Sequence, residues 1–133
     1  MSDTGARANR PLSPHLQIYR WPLTMAMSIA HRVTGVGLYF GMLILAWWLT
    51  AAASGEAYFA FVNGIFGSWI GMVALFGFSF ALVHHMLGGL RHFIWDFGYG
   101  LGKPARDRLA LANIVLSVAI TILLWVVGYG LRG

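Results

Sequence analysis

Three long stretches of this chain contain no lysine, arginine, aspartate or glutamate: residues 33–55, 57–90 and 109–131. A helix needs about 20 predominantly apolar residues to cross the hydrocarbon core of a bilayer. The first and third stretches each fit one crossing. The middle stretch is too long for one crossing and too short for two crossings with a turn between them. The pattern therefore predicts a membrane protein that crosses the bilayer three times.

The composition excludes the main alternatives to a membrane protein. Of the 133 residues, 59% are hydrophobic and only 10% are charged, and so few charges cannot cover the surface of a small soluble monomer. The chain has no cysteine, which excludes a disulfide scaffold, a zinc finger, and an iron–sulfur cluster or thiol nucleophile supplied by this chain alone. The net charge of +5 does not indicate nucleic-acid binding, because the basic residues bracket the apolar stretches instead of lining one face.

We predict an all-α membrane protein with a single transmembrane domain over residues 1–133. A segment over residues 1–24 precedes the first helix, and Pro22 suits a position at the start of that helix. Glycine and asparagine near residues 63–68 predict an interfacial segment before the second crossing. The three spanning helices are expected at about 25–50, 69–97 and 108–130.

The distribution of basic residues predicts the orientation. Arg132 is the only basic residue on one side of the predicted bilayer. The other eight lie on the opposite side: Arg7, Arg10, Arg20, Arg32, Arg91, Lys103, Arg106 and Arg108. By the positive-inside rule the N-terminus and the second loop are cytoplasmic and the C-terminus is periplasmic. The start of the chain resembles neither a cleavable signal peptide nor a transit peptide, which favours a bacterial inner membrane.

The first predicted helix carries two polar residues near its cytoplasmic end. Ser28 and Arg32 are one helical turn apart and share a face, with Trp21 shortly before them. An ionisable residue inside a span is costly unless it is paired or functional. Arg32 either extends its charge to the lipid headgroups, or forms a pocket with Ser28 for a small amphipathic ligand that has carbonyl oxygens. Position alone leaves both interpretations open.

The second predicted helix carries a polar stripe. His85, Gly89, His92 and Asp96 fall within about 60° around the helix, whereas His84 points about 100° away from His85. His85 lies about 16 Å deeper in the membrane than Asp96. A neutral histidine at that depth needs a partner. The partner is either a group on another helix or a metal, for which a haem iron with an axial histidine is the usual case in a helix bundle.

Residues around this stripe would suit a haem. Gly88 and Gly89 have no side chains, so a macrocycle or a neighbouring helix can approach closely. Anionic haem propionates prefer the membrane interface, where four basic groups are available: His31, Arg32, Arg91 and His92. The third helix has a milder polar stripe, which predicts hydrogen bonds between helices: Asn113, Ser117 and Thr121.

Two segments of the sequence resemble one protein family. RPLSPHLQIY at residues 10–19, followed by SIAHRVTG at residues 28–35, is similar to the front of the cytochrome b anchor subunit of succinate dehydrogenase. The pattern H-x-x-x-G-x-R-H-x-x-x-D at residues 85–96 is similar to the second-helix signature of that family. Their order, their spacing and the three-helix layout agree over nearly the whole chain. The Arg-Pro-Leu-Ser-Pro start is most like the alphaproteobacterial and mitochondrial branch.

This resemblance implies a subunit of respiratory complex II. In that complex a flavoprotein subunit and an iron–sulfur subunit oxidise succinate, and two membrane anchors bind one haem b and ubiquinone between them. The second axial ligand of the haem belongs to the small membrane-anchor subunit. Carried over to this sequence, His85 is the axial ligand of the haem iron, and Asp96 lies where the anchor meets the iron–sulfur subunit. The quinone site corresponds to Ser28, Arg32 and Trp21, and the vicinity of the haem propionates to His31, Arg91 and His92.

Three other functions compete with this interpretation. The chain could be a haem-free assembly anchor that only docks the soluble subunits. It could instead anchor a related quinol:fumarate reductase, although the single-haem motif and the branch favour succinate oxidation. A transporter or channel component would need pore-facing polar residues on all three helices, and the third apolar stretch has no ionisable residue.

Overall fold

A computed structural model describes residues 21–131, which form four helices. They are α1 (Leu23–Ser54), α2 (Glu56–Gly67), α3 (Trp69–Asp96) and α4 (Lys103–Gly130). Of these, α1, α3 and α4 are long and apolar enough to cross a membrane, and no strand occurs within the described range. The prediction of an all-α membrane protein with three spans is therefore confirmed. Most of the predicted N-terminal segment, and Arg132, lie outside the described residues.

Helix α1 extends beyond the predicted range of 25–50 at both ends. Pro22 occupies the N-cap position with an extended backbone, since its fixed φ angle and missing N–H suit a helix start. The helix has 32 residues, or about 48 Å at 1.5 Å per residue, so it is longer than the hydrocarbon core is thick. It ends at Gly55, whose φ of 118° disfavours any residue with a Cβ.

The predicted interfacial segment is a regular helix, α2. Its 12 residues are too few to cross the bilayer. Two hydrogen bonds between side chains tie it to the end of α1. Trp47 Nε1 donates to the Tyr58 hydroxyl at 2.8 Å, and Trp48 Nε1 donates to Asn63 Oδ1 at 2.9 Å. Helix α2 is thus held beside the C-terminal end of α1.

Local signals explain where α3 and α4 begin. The Ser68 side chain caps α3 by accepting a hydrogen bond from the Gly71 backbone N–H at 3.1 Å. Helix α4 starts at Lys103, five residues before the predicted start at 108, because Pro104 lies in its first turn. Proline is favoured there, where its missing N–H would have no partner within the helix.

Helix α3 is central and packs against each of the other three helices. The interior is small and is filled by side chains such as Met27, Val83 and Ala110. The outer surface is largely apolar: for example, Leu43 and Leu123 are each 60% exposed. A surface of this kind suits lipid or the helices of a partner subunit.

Two glycines of α3 provide a test of this packing. A Cβ at Gly71 would collide with backbone atoms of Ile65 and Phe66 on α2, whereas a Cβ at Gly77 would meet nothing within 4 Å. We expect Gly71→Ala to lower the free energy of unfolding by about 1–3 kcal/mol, because the backbone cannot move aside easily. Gly77→Ala should leave stability unchanged or raise it by up to about 1 kcal/mol, since alanine favours helix. Unfolding in mixed micelles measures both, and equal effects would contradict this packing.

Candidate functional site

The most specific contact between α1 and α3 is a reciprocal pair of histidines. His31 Nε2 lies 3.2 Å from the carbonyl oxygen of His85, and His85 Nδ1 lies 3.0 Å from the carbonyl oxygen of His31. The two rings stack with their centroids 4.0 Å apart and their planes 13° from parallel. Each ring therefore bonds to the backbone of the opposite helix.

This geometry fixes the tautomer of His85. A carbonyl oxygen can only accept a hydrogen bond, so Nδ1 of His85 must carry the hydrogen. In a neutral imidazole the other nitrogen, Nε2, then holds a lone pair that is available to a metal ion. Hydrogen bonding of one ring nitrogen to a backbone carbonyl is the usual arrangement for a histidine that ligates through the other.

Thr34 and Gly35 complete the surface that receives the His85 ring. The Thr34 hydroxyl donates to the carbonyl oxygen of Ala30 at 2.9 Å and lies 3.4 Å from His85 Nδ1. A Cβ at Gly35 would lie 2.9 Å from His85 Cε1, closer than real Cβ contacts allow. The ring can occupy its position because residue 35 has no side chain.

The two adjacent glycines of α3 have different surroundings. A Cβ at Gly88 would collide with the His31 ring, so Gly88 permits the close approach of α1. A Cβ at Gly89, one turn beyond His85, would meet nothing within 4 Å. The close approach of α1 therefore depends on Gly88. Gly89 instead leaves open space on the His85 side of α3.

His92 and Asp96 continue the polar stripe towards the end of α3. Both residues are exposed. The His92 ring lies 5.5 Å from the His31 ring, so three histidines follow one another along the α1–α3 contact. Within residues 21–131, no group of three or more His, Asp or Glu side chains could hold a metal ion. The described residues therefore contain no complete metal cage.

His84 lies on a different side of α3 and faces α4. Its side chain is 4% exposed, its Nδ1 lies 3.2 Å from the Ser117 hydroxyl, and its backbone carbonyl accepts a bond from Asn113 Nδ2 at 3.4 Å. The predicted hydrogen bonds between helices are confirmed for Asn113 and Ser117, but not for Thr121, whose hydroxyl donates to the Ser117 carbonyl oxygen of its own helix. The sequence indicated that His84 lies outside the polar stripe, but it did not identify Ser117 as the partner of His84.

Arg91 is buried inside the bundle, with only 3% of its surface exposed. It lies about 120° around α3 from His85, and its guanidinium carbon is 5.0 Å from the centre of the Trp95 ring. Its Nε and Nη1 atoms have no hydrogen-bond partner among the described residues. Burial of a cation with unsatisfied donors is costly unless an acceptor reaches it.

Ser28 and Arg32 lie at the start of α1, on either side of His31 in the sequence. Ser28 is partly buried, Arg32 is exposed, and Trp21 is 61% exposed just before the helix. No hydrogen bond joins the side chain of Ser28 or Arg32 to another residue in the described range. Their donors are free for a ligand, and His31 connects this end of α1 directly to His85.

Comparison with known proteins identifies the family. Residues 6–124 match the family model described as succinate dehydrogenase/fumarate reductase transmembrane subunit. The chain belongs to this family. A succinate dehydrogenase cytochrome b556 subunit from Paracoccus denitrificans is 43% identical over 127 residues, covering 96% of this chain and 97% of that protein.

Other relatives of this transmembrane subunit are bacterial and mitochondrial. A cytochrome b556 subunit of succinate dehydrogenase from Rickettsia felis is 40% identical, covering 88% of this chain and 91% of its own. A mitochondrial cytochrome b560 subunit of succinate dehydrogenase from Sus scrofa is 38% identical, covering 86% and 69% respectively. The family suggested by the two sequence segments is therefore confirmed.

The contact between the His85 ring and α1 in this transmembrane subunit can be tested by substituting two glycines of α1. We expect Gly35→Ala to lower stability by about 1–3 kcal/mol, because its methyl group would displace the buried edge of the ring. Gly37→Ala is the matched control, since a Cβ there meets nothing within 4 Å. The measurement is the thermal unfolding midpoint of the purified membrane assembly. A Gly35→Ala variant as stable as Gly37→Ala would show that the ring does not lie against residue 35.

Proposed function

We propose that this chain is the membrane anchor of a succinate:quinone oxidoreductase that binds haem b and ubiquinone and passes electrons from an iron–sulfur subunit to the quinone. The observation that carries the proposal is the bond from His85 Nδ1 to the His31 carbonyl oxygen, 3.0 Å long. It leaves His85 Nε2 as a free metal ligand at about mid-membrane depth. The relatives are named as cytochrome b subunits of succinate dehydrogenase, which agrees with a haem at this position.

The residues present fit a haem b that would be held jointly with the small membrane-anchor subunit, since the described residues contain no complete metal site. His85 would supply one ligand through Nε2, oriented by the His31 carbonyl and by Gly35. The open space beside Gly89 gives a flat macrocycle access to this side of α3. When bound, haem b supplies a centre that accepts and releases one electron. This chain would orient the His85 ring and surround it with apolar side chains.

The propionate end of the haem is assigned to His31, Arg91 and His92. His31 and His92 lie on the His85 side of the α1–α3 contact, with their rings 5.5 Å apart. Arg91 adds a buried positive charge from within the bundle, and its Nε and Nη1 lack partners in the described chain. Such a charge attracts anionic carboxylates strongly, because it is weakly screened at low dielectric.

The quinone site is assigned to Ser28, Arg32 and Trp21. The serine hydroxyl and the guanidinium can both donate to a quinone carbonyl oxygen, and neither side chain is bonded within residues 21–131. As the quinone is reduced, negative charge develops on that oxygen, so donors placed there stabilise the charged form more than the neutral one. Trp21 is exposed before the helix and would line the mouth of the pocket.

The proposed partners follow from the position of this site. The starts of α1 and α4 and the end of α3 lie at one end of the bundle, together with the basic residues Lys103, Arg106 and Arg108 in the first turns of α4. We assign this end to the cytoplasmic side of a bacterial inner membrane, facing the iron–sulfur subunit and, through it, the flavoprotein subunit. The exposed apolar faces of the three spans would meet lipid and the small membrane-anchor subunit.

Two alternatives remain distinguishable. The matching family model covers fumarate reductases as well as succinate dehydrogenases, but the relatives described above are named as succinate dehydrogenase subunits. A haem-free anchor would give no b-type signal in a reduced-minus-oxidised absorption spectrum of the purified complex. The free Nε2 of His85 favours the haem-binding function over that alternative.

A substitution of each vicinal histidine tests the ligand assignment. We expect His85→Ala to remove or strongly weaken the low-spin b-type absorption spectrum, because the axial nitrogen is lost. His84→Ala is the control, and it should retain the haem, since His84 faces α4 and not the open side of α3. An unchanged spectrum in His85→Ala, or equal loss in both variants, would disprove the assignment.

Substitutions at the start of α1 test the quinone site. Arg32→Leu should lower succinate:quinone activity about tenfold or more, because losing a charge-assisted hydrogen bond costs roughly 1.5–3 kcal/mol. Ser28→Ala removes a neutral donor and should cost about 1 kcal/mol. Succinate oxidation with a soluble dye should persist, since the dye takes electrons upstream of the quinone.

The control for the lost charge is Arg108→Leu. Arg108 is an exposed basic residue of α4 at the same end of the bundle. It should leave both activities largely intact. If Arg32 only extends its charge to the headgroups, Arg32→Leu would reduce assembly and both activities in parallel, and the pocket would be excluded.

A further inference from the structure

Two consecutive residues of α3 brace it to two different helices. His85 bonds to the backbone of α1, as described above. His84, the preceding residue, bonds to α4 through Ser117 at 3.2 Å. Because successive residues of a helix point about 100° apart, these two contacts hold α3 from two directions at the same depth in the membrane.

The contact of His84 with α4 is fully enclosed. Ser117 is 0% exposed, and His84 and Asn113 are each 4% exposed. The Ser117 hydroxyl also donates to the Asn113 carbonyl oxygen at 2.5 Å, and Asn113 Nδ2 lies 3.3 Å from that hydroxyl. His84 Nε2 and Asn113 Oδ1 have no partner among the described residues, so the arrangement rests on the bonds made by His84 Nδ1, the Ser117 hydroxyl and Asn113 Nδ2. Rotation of α3 would break these buried bonds and leave further polar groups without partners.

We propose that His84 is a positioning residue that, with Ser117 and Asn113, sets the rotation of α3 about its axis and thereby the direction in which His85 presents Nε2. This inference rests on the proposed role of His85 as a haem ligand. His84 itself does not touch the metal side of His85, so its effect passes through the helix backbone.

Both histidine contacts hold the backbone of α3. On the α1 side, His31 Nε2 lies 3.2 Å from the His85 carbonyl oxygen, and the His85 ring bonds to the His31 carbonyl oxygen. On the α4 side, the His84 ring is held through Ser117 and the His84 carbonyl through Asn113. Without the α4 contact, α3 is held by polar groups from one direction only and can rotate about the remaining contact. A ligand must be held within about 10–20° of its productive direction, so a small rotation of α3 would alter the bond to iron.

The test uses the assembled complex and variants at both ends of the contact. His84→Leu keeps an apolar side chain of substantial volume but loses the bond, and Ser117→Ala loses it from the opposite helix. His84→Asn retains a polar atom near the position of Nδ1. Thr121→Val is the matched control, because the Thr121 hydroxyl is equally buried but donates only to the Ser117 carbonyl oxygen of its own helix.

The measurements are haem content, the largest g value of the low-spin ferric haem, and its midpoint potential. We expect His84→Leu and Ser117→Ala to retain haem but to shift the g value and the potential in the same direction. The double variant should shift them no further than either single variant, and His84→Asn should restore part of the change. Thr121→Val should leave both values unchanged.

The proposal would be overturned if His84→Leu and Ser117→Ala had the same g value and midpoint potential as the unsubstituted complex. It would also be overturned if the shifts of the two single variants added in the double variant. Should His84→Leu fail to assemble, Ser117→Ala decides the question alone, since it leaves the buried ring in place. Failure of the proposed function gives a different result: the unsubstituted complex would then contain no haem, or would keep it in His85→Ala.

Discussion

The arrangement of this site depends on the two hydrogen bonds that His31 and His85 exchange across α1 and α3. Helices in a membrane gain little from burying apolar surface against each other, because lipid tails are equally apolar. Close packing and polar contacts must hold them instead. Here Gly35 and Gly88 allow the approach, and the two imidazole rings use it by bonding to the opposite backbone. The same bonds determine which nitrogen of His85 is free.

The position of His31 brings two proposed sites together. It stacks on His85 on one side, and in the sequence it directly precedes Arg32 at the proposed quinone site. The proposed quinone donors and the proposed haem ligand therefore share one structural element. This shared element agrees with the proposed function, in which electrons pass between the two sites.

The sequence predicted the three spans and the polar stripe of α3, because membrane thickness and helical periodicity constrain both directly. It did not predict that α2 is a helix, since that segment lacks the length and the regular pattern of a span. The partner of His84 and the inward direction of Arg91 depend on which helix lies beside each face of α3. Periodicity within one helix contains no such information. For the same reason, the sequence did not predict that Gly88 and Gly89 have different surroundings.

An experimental structure of the assembled complex, at a resolution that defines the histidine rings, tests the central claim most directly. The reciprocal histidine pair predicts iron bound to Nε2 of His85, with Nδ1 of the same ring within hydrogen-bonding distance of the His31 carbonyl oxygen. Iron bound through Nδ1, ligation by His84, or a His85 ring with no contact to α1 would contradict it.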